Sequence, residues 1–318
     1  MSDIFITTFK SNTLALIQVL LIALAGAIVV RAKLFKSSDI KGLTLTLINI
    51  LLPSMIFSKI VNTLDPQSFK LWWVLPLIGI GLIGVGIVFA LLFFMRDISS
   101  KKSLLPIASM QNAGYLALPL GQAIYPQQFD EYALYTFLII MGLNPILWSV
   151  GKFLNTGGSI LEFSWKQFIT PPFLANILGI LFVLTGFHHL IPTVVSNAIE
   201  LTGTATVPIA NFILGAVLGG ISLQSWPSPV DTLRVLVVKF MIIPLITVLV
   251  MLSLHVRQAN PLMSDVILIQ AVSPPAIAIL IQIKNYGGDA QRSGSLMLLS
   301  YVVCILAIPL WMALWNVL

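Results

Sequence analysis

Gln111-Asn112-Ala113-Gly114-Tyr115-Leu116-Ala117-Leu118-Pro119-Leu120-Gly121 is an interrupted stretch within an apolar run long enough to cross a bilayer. Gly114 and Pro119 weaken the helical hydrogen-bond ladder here, because proline lacks a backbone donor and clashes with the preceding turn. At membrane depth, irregular backbone is tolerated only where protein or a water-filled cavity covers it. The stretch therefore predicts either a kinked helix whose amides bond to a neighbour, or a discontinuous helix whose broken ends bind a solute.

Composition places the chain in the membrane. Of its 318 residues, 58% are hydrophobic and 9% are charged, and its mean hydropathy is +1.01. Soluble domains carry about 25% charged residues, so we predict an all-α polytopic membrane protein with the lipid bilayer as its surroundings. The net charge of +6 does not indicate a nucleic-acid partner, because the basic residues cluster at predicted helix ends. The single cysteine, Cys304, excludes a cysteine metal cluster, and we predict no metal and no cofactor.

Ten apolar segments meet the length of about 20 residues that a membrane span requires. They cover residues 12–31, 40–62, 71–95, 102–125, 131–153, 167–187, 194–221, 231–254, 263–285 and 292–316. Twelve lysines and arginines fall at one set of connections and four at the other. The positive-inside rule makes the first set cytoplasmic and places both termini on the non-cytoplasmic side. With no soluble domain between the segments, we expect a multi-pass protein of the bacterial inner membrane.

Prolines recur in a pattern that indicates an internal repeat. Pro53 and Pro119 are 66 positions apart, Pro208 and Pro275 are 67 apart, and the two pairs are offset by 155 and 156 residues. Prolines are frequent in membrane helices, so chance alignment is the alternative. The pattern predicts two five-helix units, residues 1–155 and 160–318. Because five is odd, the second unit enters the membrane from the opposite side, which gives an inverted repeat.

The second unit contains a matching interruption, Gln270-Ala271-Val272-Ser273-Pro274-Pro275-Ala276. We expect a new half-helix here with Ser273 as its N-cap and Pro274 in its first position. In the first unit, the half-helix is expected to restart near Leu118 and Pro119. The unpaired N–H groups of two crossed half-helices form a site for a carboxylate, and the opposing carbonyl ends form one for a cation or polar atoms.

Two further intramembrane residues are candidates for this site. Lys239 lies about 13 Å into segment 8. There it neutralises an anion, replaces a bound cation near the crossover, extends its amine to the surface, or bonds to backbone carbonyls. Asn144, before Pro145, either bonds to a neighbouring helix, which is the default for such amides, or lies at a break that faces segment 4. All eleven acidic residues fall at or near segment ends, which weakens the case for proton coupling through a buried carboxylate.

The residues Asn112 through Leu120 resemble the fourth-helix motif of the auxin efflux carrier family, which includes plant PIN proteins and bacterial malonate and malate permease-like proteins. The resemblance covers essentially the whole chain and continues at Asn49 to Pro53, Pro208 to Gly215, Pro274-Pro275 with Tyr286-Gly287, and Ile308 to Leu310. It implies a bile-acid/sodium symporter-like fold with crossed helices 4 and 9. Helices 1, 2, 6 and 7 would form a scaffold, which mediates a homodimer, and helices 3–5 with 8–10 a mobile transport domain.

Family members carry organic anions by an elevator-like movement. By position, Asn112 and Pro119 correspond to the first crossover and Pro275 to the second. The chain lacks the long central loop of the plant proteins and the acid that some of them have in segment 3. These differences favour the bacterial branch.

These observations predict a secondary transporter of small organic anions, namely mono- or dicarboxylates or auxin-like acids. The alternatives are a sodium-coupled carrier similar to bile-acid symporters and a membrane sensor that does not transport. An enzyme is not predicted, since paired intramembrane aspartates, HExxH and GxSxG are absent from the sequence. The candidate substrate-binding residues are Asn112, Gly114, Tyr115, Pro119, Asn144, Lys239, Ser273, Pro274 and Pro275.

Overall fold

The computed structural model describes residues 2–156, 169–221, 225–286 and 289–318, and this part of the chain is helical. The α-helices are α1 (Ser2–Arg31), α2 (Ser37–Thr46), α3 (Leu52–Thr63), α4 (Val74–Phe94), α5 (Leu104–Ser109), α6 (Leu118–Ile124), α7 (Phe129–Thr156), α8 (Pro171–Thr185), α9 (Thr193–Thr204), α10 (Thr206–Gly219), α11 (Pro229–Val237), α12 (Ile243–Ser253), α13 (Val256–Ala259), α14 (Pro261–Val272), α15 (Ile277–Tyr286) and α16 (Ala290–Val317). Gly287 of the quoted motif lies outside the described residues. So do residues 157–159, which form most of the boundary between the predicted repeats.

Within the described part, seven helical stretches are long and apolar enough to cross a membrane. They are Ser2–Arg31, Ser38–Thr63, Val74–Phe94, Pro126–Asn155, Thr193–Gly219, Pro229–Ser253 and Ala290–Val317. Two shorter apolar helices, Pro171–Thr185 and Pro261–Val272, fall in predicted segments 6 and 9. The prediction of an all-α polytopic membrane protein is therefore confirmed.

The structure extends predicted segment 1 and divides predicted segments 4 and 9 where the sequence indicated interruptions. Helix α1 begins at Ser2, ten residues before the predicted start of segment 1, and Asp3 in its first turn favours that early start. Predicted segments 4 and 9 are each divided into two helices, α5 and α6 in one case and α14 and α15 in the other.

In the part of the chain that the structure describes, three wide π turns each end two residues before a proline. They are Leu47–Leu51 before Pro53, Ala113–Ala117 before Pro119, and Val238–Ile242 before Pro244. Proline cannot donate to the carbonyl four residues earlier, so the ladder opens locally at each site. At the third site, the carbonyl of Phe240 accepts instead from the Trp311 indole N–H at 2.8 Å. Sequence-encoded prolines thus create the wide turns, and a distant side chain satisfies one freed carbonyl.

Helices α1 and α10 approach each other closely through small residues. A Cβ atom on Gly26 would overlap the Phe212 carbonyl, and one on Gly215 would overlap the Ala23 carbonyl. Small residues allow such backbone contact between membrane helices. The Asn211 amide also donates to the Val19 carbonyl at 2.7 Å, so packing and a buried hydrogen bond fix this pair together.

An ionic cluster joins the α4–α5 connection to α11. Lys101 lies 2.6 Å from Asp231 and 2.7 Å from Asp97, and Arg234 lies 3.1 Å from Asp97. The hydrogen bond from Lys101 lowers the pKa of Asp97, and the hydrogen bond to Asp231 raises the pKa of Lys101. The cluster holds the two halves of the chain together at this end of the bundle.

Candidate functional site

The two interruptions lie side by side and form one short antiparallel bridge. The Asn112 N–H donates to the Pro274 carbonyl at 2.8 Å, and the Ala276 N–H donates to the Met110 carbonyl at 3.1 Å. Backbone groups that lose helical partners at one break therefore find them at the other. This pairing satisfies the requirement that buried backbone groups be hydrogen-bonded.

Asn112 and Tyr301 connect both interruptions to α16. The Asn112 side-chain oxygen accepts from the Tyr115 N–H at 3.2 Å, and its amide nitrogen donates to the Tyr301 hydroxyl. That hydroxyl in turn donates to the Pro275 carbonyl at 3.2 Å. Sequence analysis missed Tyr301, whose only signal is a polar hydroxyl within an apolar helix.

The first half-helix restarts earlier than the sequence predicted. It begins with the π turn Ala113–Ala117, whereas the prediction placed it near Leu118 and Pro119. The reason is that Asn112 serves as the N-cap, since it has non-helical backbone angles and accepts a first-turn N–H. Pro119 is buried one turn further on.

The predicted cap of the second half-helix is wrong. Ser273 ends α14 and donates to the Ile269 carbonyl at 2.7 Å, so its hydroxyl serves the helix before the break. Helix α15 begins only at Ile277, and Pro274 therefore lies in the extended link rather than in a first helical position. The link stays extended because its backbone is paired with the other interruption.

A cavity of about 130 Å³ borders the paired interruptions. On one side it is lined by Ile48, Leu52, Thr170 and Pro172, and on the other by Met110–Tyr115, residues 276–278 and part of α7. A water molecule occupies about 30 Å³ in the liquid, so the cavity has room for a small solute. The cavity therefore lies between α3 and α8 on one side and the paired interruptions with α7 on the other.

Four of the nine predicted site residues line this cavity. They are Asn112, Gly114, Tyr115 and Asn144. A Cβ atom added to Gly114 would meet nothing within 4 Å, so the backbone there is open to the cavity. The described wall contains none of the other five, which are Pro119, Lys239, Ser273, Pro274 and Pro275.

Asn144 lies in the cavity wall as part of a continuous helix rather than at a break. Helix α7 runs from Phe129 to Thr156 without a break, although Pro145 is inside it. The Ser149 hydroxyl bonds to the Pro145 carbonyl at 2.6 Å. The expected break at Asn144 is therefore wrong. Among the described residues, no group hydrogen-bonds the half-buried Asn144 amide.

The electrostatic character of the cavity comes from backbone and amide groups. Both restarted helices begin at its wall, at Ala113 and Ile277. The first N–H groups of a helix have no intrahelical acceptor, and they carry a partial positive charge. No side chain in the described wall bears a formal charge. The arrangement can therefore bind a small anion through N–H donors and amides.

Comparison with known proteins identifies the family of this chain. A family profile described as "Membrane transport protein" matches residues 12–159 and 158–312. The chain belongs to this family. It is thus a transport protein rather than an enzyme, as predicted.

Two relatives of this membrane transport protein are informative. Protein PIN-LIKES 5 of Arabidopsis thaliana is 28% identical over 169 residues, which cover 50% of this chain but only 43% of that protein. An uncharacterized transporter of Methanothermobacter thermautotrophicus is 26% identical over 312 residues, which cover 95% of this chain and 98% of that protein. These matches confirm the resemblance to the auxin efflux carrier family.

Lys239 of the membrane transport protein is fully buried rather than extended to the surface. Its side chain is 0% exposed within the π turn Val238–Ile242, and among the described residues its Nζ has no hydrogen-bond partner. Extension of the amine to the aqueous boundary, one of the predicted alternatives, is therefore excluded. Its side chain does not line the described wall of the 130 Å³ cavity.

A second groove of about 400 Å³ lies between α4 and α12. Its wall is almost entirely apolar. The Thr247 hydroxyl within it already donates a hydrogen bond to the Ile243 carbonyl at 2.7 Å. A carboxylate placed there would lose its hydration without gaining donors. The smaller cavity at the paired interruptions is therefore the better anion site.

Proposed function

We propose that this membrane transport protein is a secondary transporter of small organic anions, namely mono- or dicarboxylates. The observation that carries the proposal is the cavity where two helix N-termini meet, at Ala113 and Ile277. Backbone N–H groups stabilise a carboxylate there without a buried arginine. The Asn144 amide and the remaining N–H of Asn112 add further donors.

The proposed architecture is ten membrane segments in two inverted five-helix repeats, residues 1–155 and 160–318. Segments 1, 2, 6 and 7 form a scaffold, and segments 3–5 and 8–10 form the moving body. Packing within each group supports this division, because α1 packs on α10, α3 packs on α8 and α9, and α4 packs on α5 and α7. Helix α1 also packs extensively on α16, so the two groups share a large contact in this conformation. The cavity lies between Leu52 and Pro172 of the first group and the paired interruptions of the second. A site at such a boundary can open to either side if one group slides past the other.

The proposal extends to the setting of the protein. We place it in the inner membrane of a bacterium, with both termini on the non-cytoplasmic side, as a homodimer formed through the scaffold. The excess of lysine and arginine in one set of connections supports this orientation. Cross-linking in proteoliposomes and protease protection of terminal tags test the dimer and the orientation.

Uptake by reconstituted protein tests the function. We expect proteoliposomes to accumulate labelled pyruvate, malonate or malate faster than protein-free liposomes, and excess unlabelled anion to compete. Uptake that requires sodium would favour the carrier similar to bile-acid symporters. Saturable binding of the same anions without flux would favour the sensor and contradict the proposal.

A further inference from the structure

Lys239 differs from Lys59, another largely buried lysine among the described residues. Lys59 has a side chain that is 12% exposed, and it is paired with Asp130 at 2.6 Å and Glu200 at 3.6 Å. Lys239 is 0% exposed, and among the described residues its Nζ has neither a hydrogen-bond acceptor nor an ion pair. An ammonium group has three N–H donors and loses its hydration on burial. Permanent positive charge at Lys239 therefore has no visible compensation.

The surroundings of Lys239 contain few groups that could hold its charge. Its π turn packs against α4, α5, α11, α12 and α14. The sequences of α4, α5 and α12 contain no charged residue. Asp231 and Arg234 of α11 are paired with the α4–α5 connection. One oxygen of Asp265 in α14 accepts from the Tyr125 hydroxyl at 2.7 Å, and its other oxygen is buried without a partner among the described residues. Helix α16, which reaches the turn through Trp311, carries the titratable residues Arg292, Tyr301 and Cys304.

Two glutamines on neighbouring elements are also without partners. Gln270 belongs to α14, and Gln111 follows α5 by two residues; α5 and α14 both pack on the turn that holds Lys239. Within the described residues, neither amide atom of either glutamine has a hydrogen-bond partner, although both side chains are buried. Their carbonyl oxygens are acceptors of the kind that an ammonium needs. Among the described residues, α14 and the stretch just after α5 thus hold two uncommitted amides on elements close to the turn of the buried amine.

We propose that Lys239 carries one proton with each carboxylate, as an ammonium while the anion moves and as a neutral amine while the carrier returns. This inference rests on the proposed function. The proton binds the Nζ lone pair on the side where the anion enters, and that N–H bond breaks on the side where the anion leaves. For a monocarboxylate the loaded carrier then moves no net charge, and neither does the unloaded carrier. Neutrality in both directions avoids the cost of moving an uncompensated charge through a low-dielectric interior.

Three variants distinguish a proton carrier from a fixed charge. Lys239→Met cannot bind a proton, and Lys239→Arg cannot release one. Lys59→Met is the matched control, because it removes a lysine that is already ion-paired. Each protein is reconstituted with a pH-sensitive dye trapped inside, and labelled pyruvate is the probe, with malonate as the second anion. Protein-free liposomes correct for passive entry of the acid.

For the wild type and the Lys59→Met control, we expect an inside-alkaline gradient to accelerate pyruvate uptake, with the lumen acidifying as the anion enters. An inside-positive potential set by potassium and valinomycin should have no effect. Lys239→Met should lose the response to the pH gradient and gain a response to the potential, because it moves the anion alone. Lys239→Arg should lose the response to the pH gradient.

Four results overturn the proposal. The first two are wild-type uptake that moves no protons and a Lys239 variant whose uptake still follows the pH gradient. The other two are a Lys59→Met control that also loses the response to the pH gradient, and folded Lys239→Met protein with no uptake under either driving force. If Lys239→Met does not fold, the wild-type proton measurement and Lys239→Arg decide the question. Complete absence of carboxylate uptake by the wild type contradicts the proposed function instead. Proton-independent uptake contradicts only the role of Lys239.

Discussion

Replacement of Tyr301 by phenylalanine tests whether the paired interruptions are held in place by its hydroxyl. That hydroxyl accepts from Asn112 and donates to the Pro275 carbonyl at 3.2 Å, and the residue is 3% exposed. A buried group left without its partner costs about 1–3 kcal/mol. The substitution leaves the Asn112 amide and the Pro275 carbonyl without this partner. Allowing for partial relaxation, we expect the paired arrangement of the two interruptions to be destabilised by about 2–4 kcal/mol. Since about 1.4 kcal/mol corresponds to a factor of ten, the correctly arranged site becomes at least roughly 20-fold less populated relative to alternatives.

Tyr135→Phe is the matched control for this experiment. Tyr135 is also 3% exposed, and its hydroxyl accepts from Asn260 at 2.8 Å and donates to Glu131. Both variants should lower the midpoint of thermal unfolding in detergent. Only Tyr301→Phe should reduce carboxylate uptake at low substrate concentration, by at least tenfold per folded protein. Equal uptake by the two variants, at equal amounts of folded protein, would refute the idea that the Tyr301 hydroxyl positions the site.

Three further predictions concern other contacts. Asn144→Leu should change the free energy of unfolding by no more than about 0.5 kcal/mol, because no described group bonds to the Asn144 amide. Uptake at low substrate concentration should fall at least fivefold. Unchanged uptake would remove Asn144 from the site. Gly215→Leu should abolish folded protein, because a Cβ there overlaps a carbonyl of α1, whereas Gly84→Leu should fold, since a Cβ there meets nothing within 4 Å; size-exclusion profiles decide. Lys59→Met should cost about 0–1 kcal/mol, because its partner Asp130 is 63% exposed and solvent screens the pair. A larger loss in thermal unfolding would contradict this weak ion pair.

The structure changes the expectation for Asn112. From the sequence alone, Asn112→Ala is expected to abolish anion flux while leaving the fold near normal. In the structure the same side chain caps a half-helix and binds Tyr301, so its removal also costs stability, about 0.5–2 kcal/mol for the cap alone. Asn112→Asp is the better test, since it keeps the capping oxygen and removes the N–H donors. Because this variant also adds a negative charge beside the anion, uptake lost with normal unfolding would place the Asn112 side chain at the site, and unchanged uptake would remove it from there.

Sequence reasoning succeeded where the cause is local. Apolar content and segment length determine membrane residence, and glycine and proline determine where a helix is interrupted. For this reason the breaks near Asn112 and Pro274 were predictable to within a few residues. The π turn before Pro244 has the same local origin, although its partner Trp311 is 71 positions away.

Sequence reasoning was wrong where neighbours decide. Ser273 has the properties of an N-cap, yet pairing with the other interruption keeps the link extended and turns its hydroxyl to Ile269. A proline at 145 suggested a break, but α7 continues through it without interruption within the packed bundle.

The sequence by itself determined that this chain spans a membrane with two broken segments, because hydropathy and the missing proline donors act on the residues that carry them. Only the tertiary structure decided that the breaks pair with each other, that Tyr301 joins them and that Lys239 is fully buried. These features depend on contacts between residues up to about 190 positions apart. Such contacts exist only once the helices pack, because the environment of a buried polar group is set by its neighbours in space.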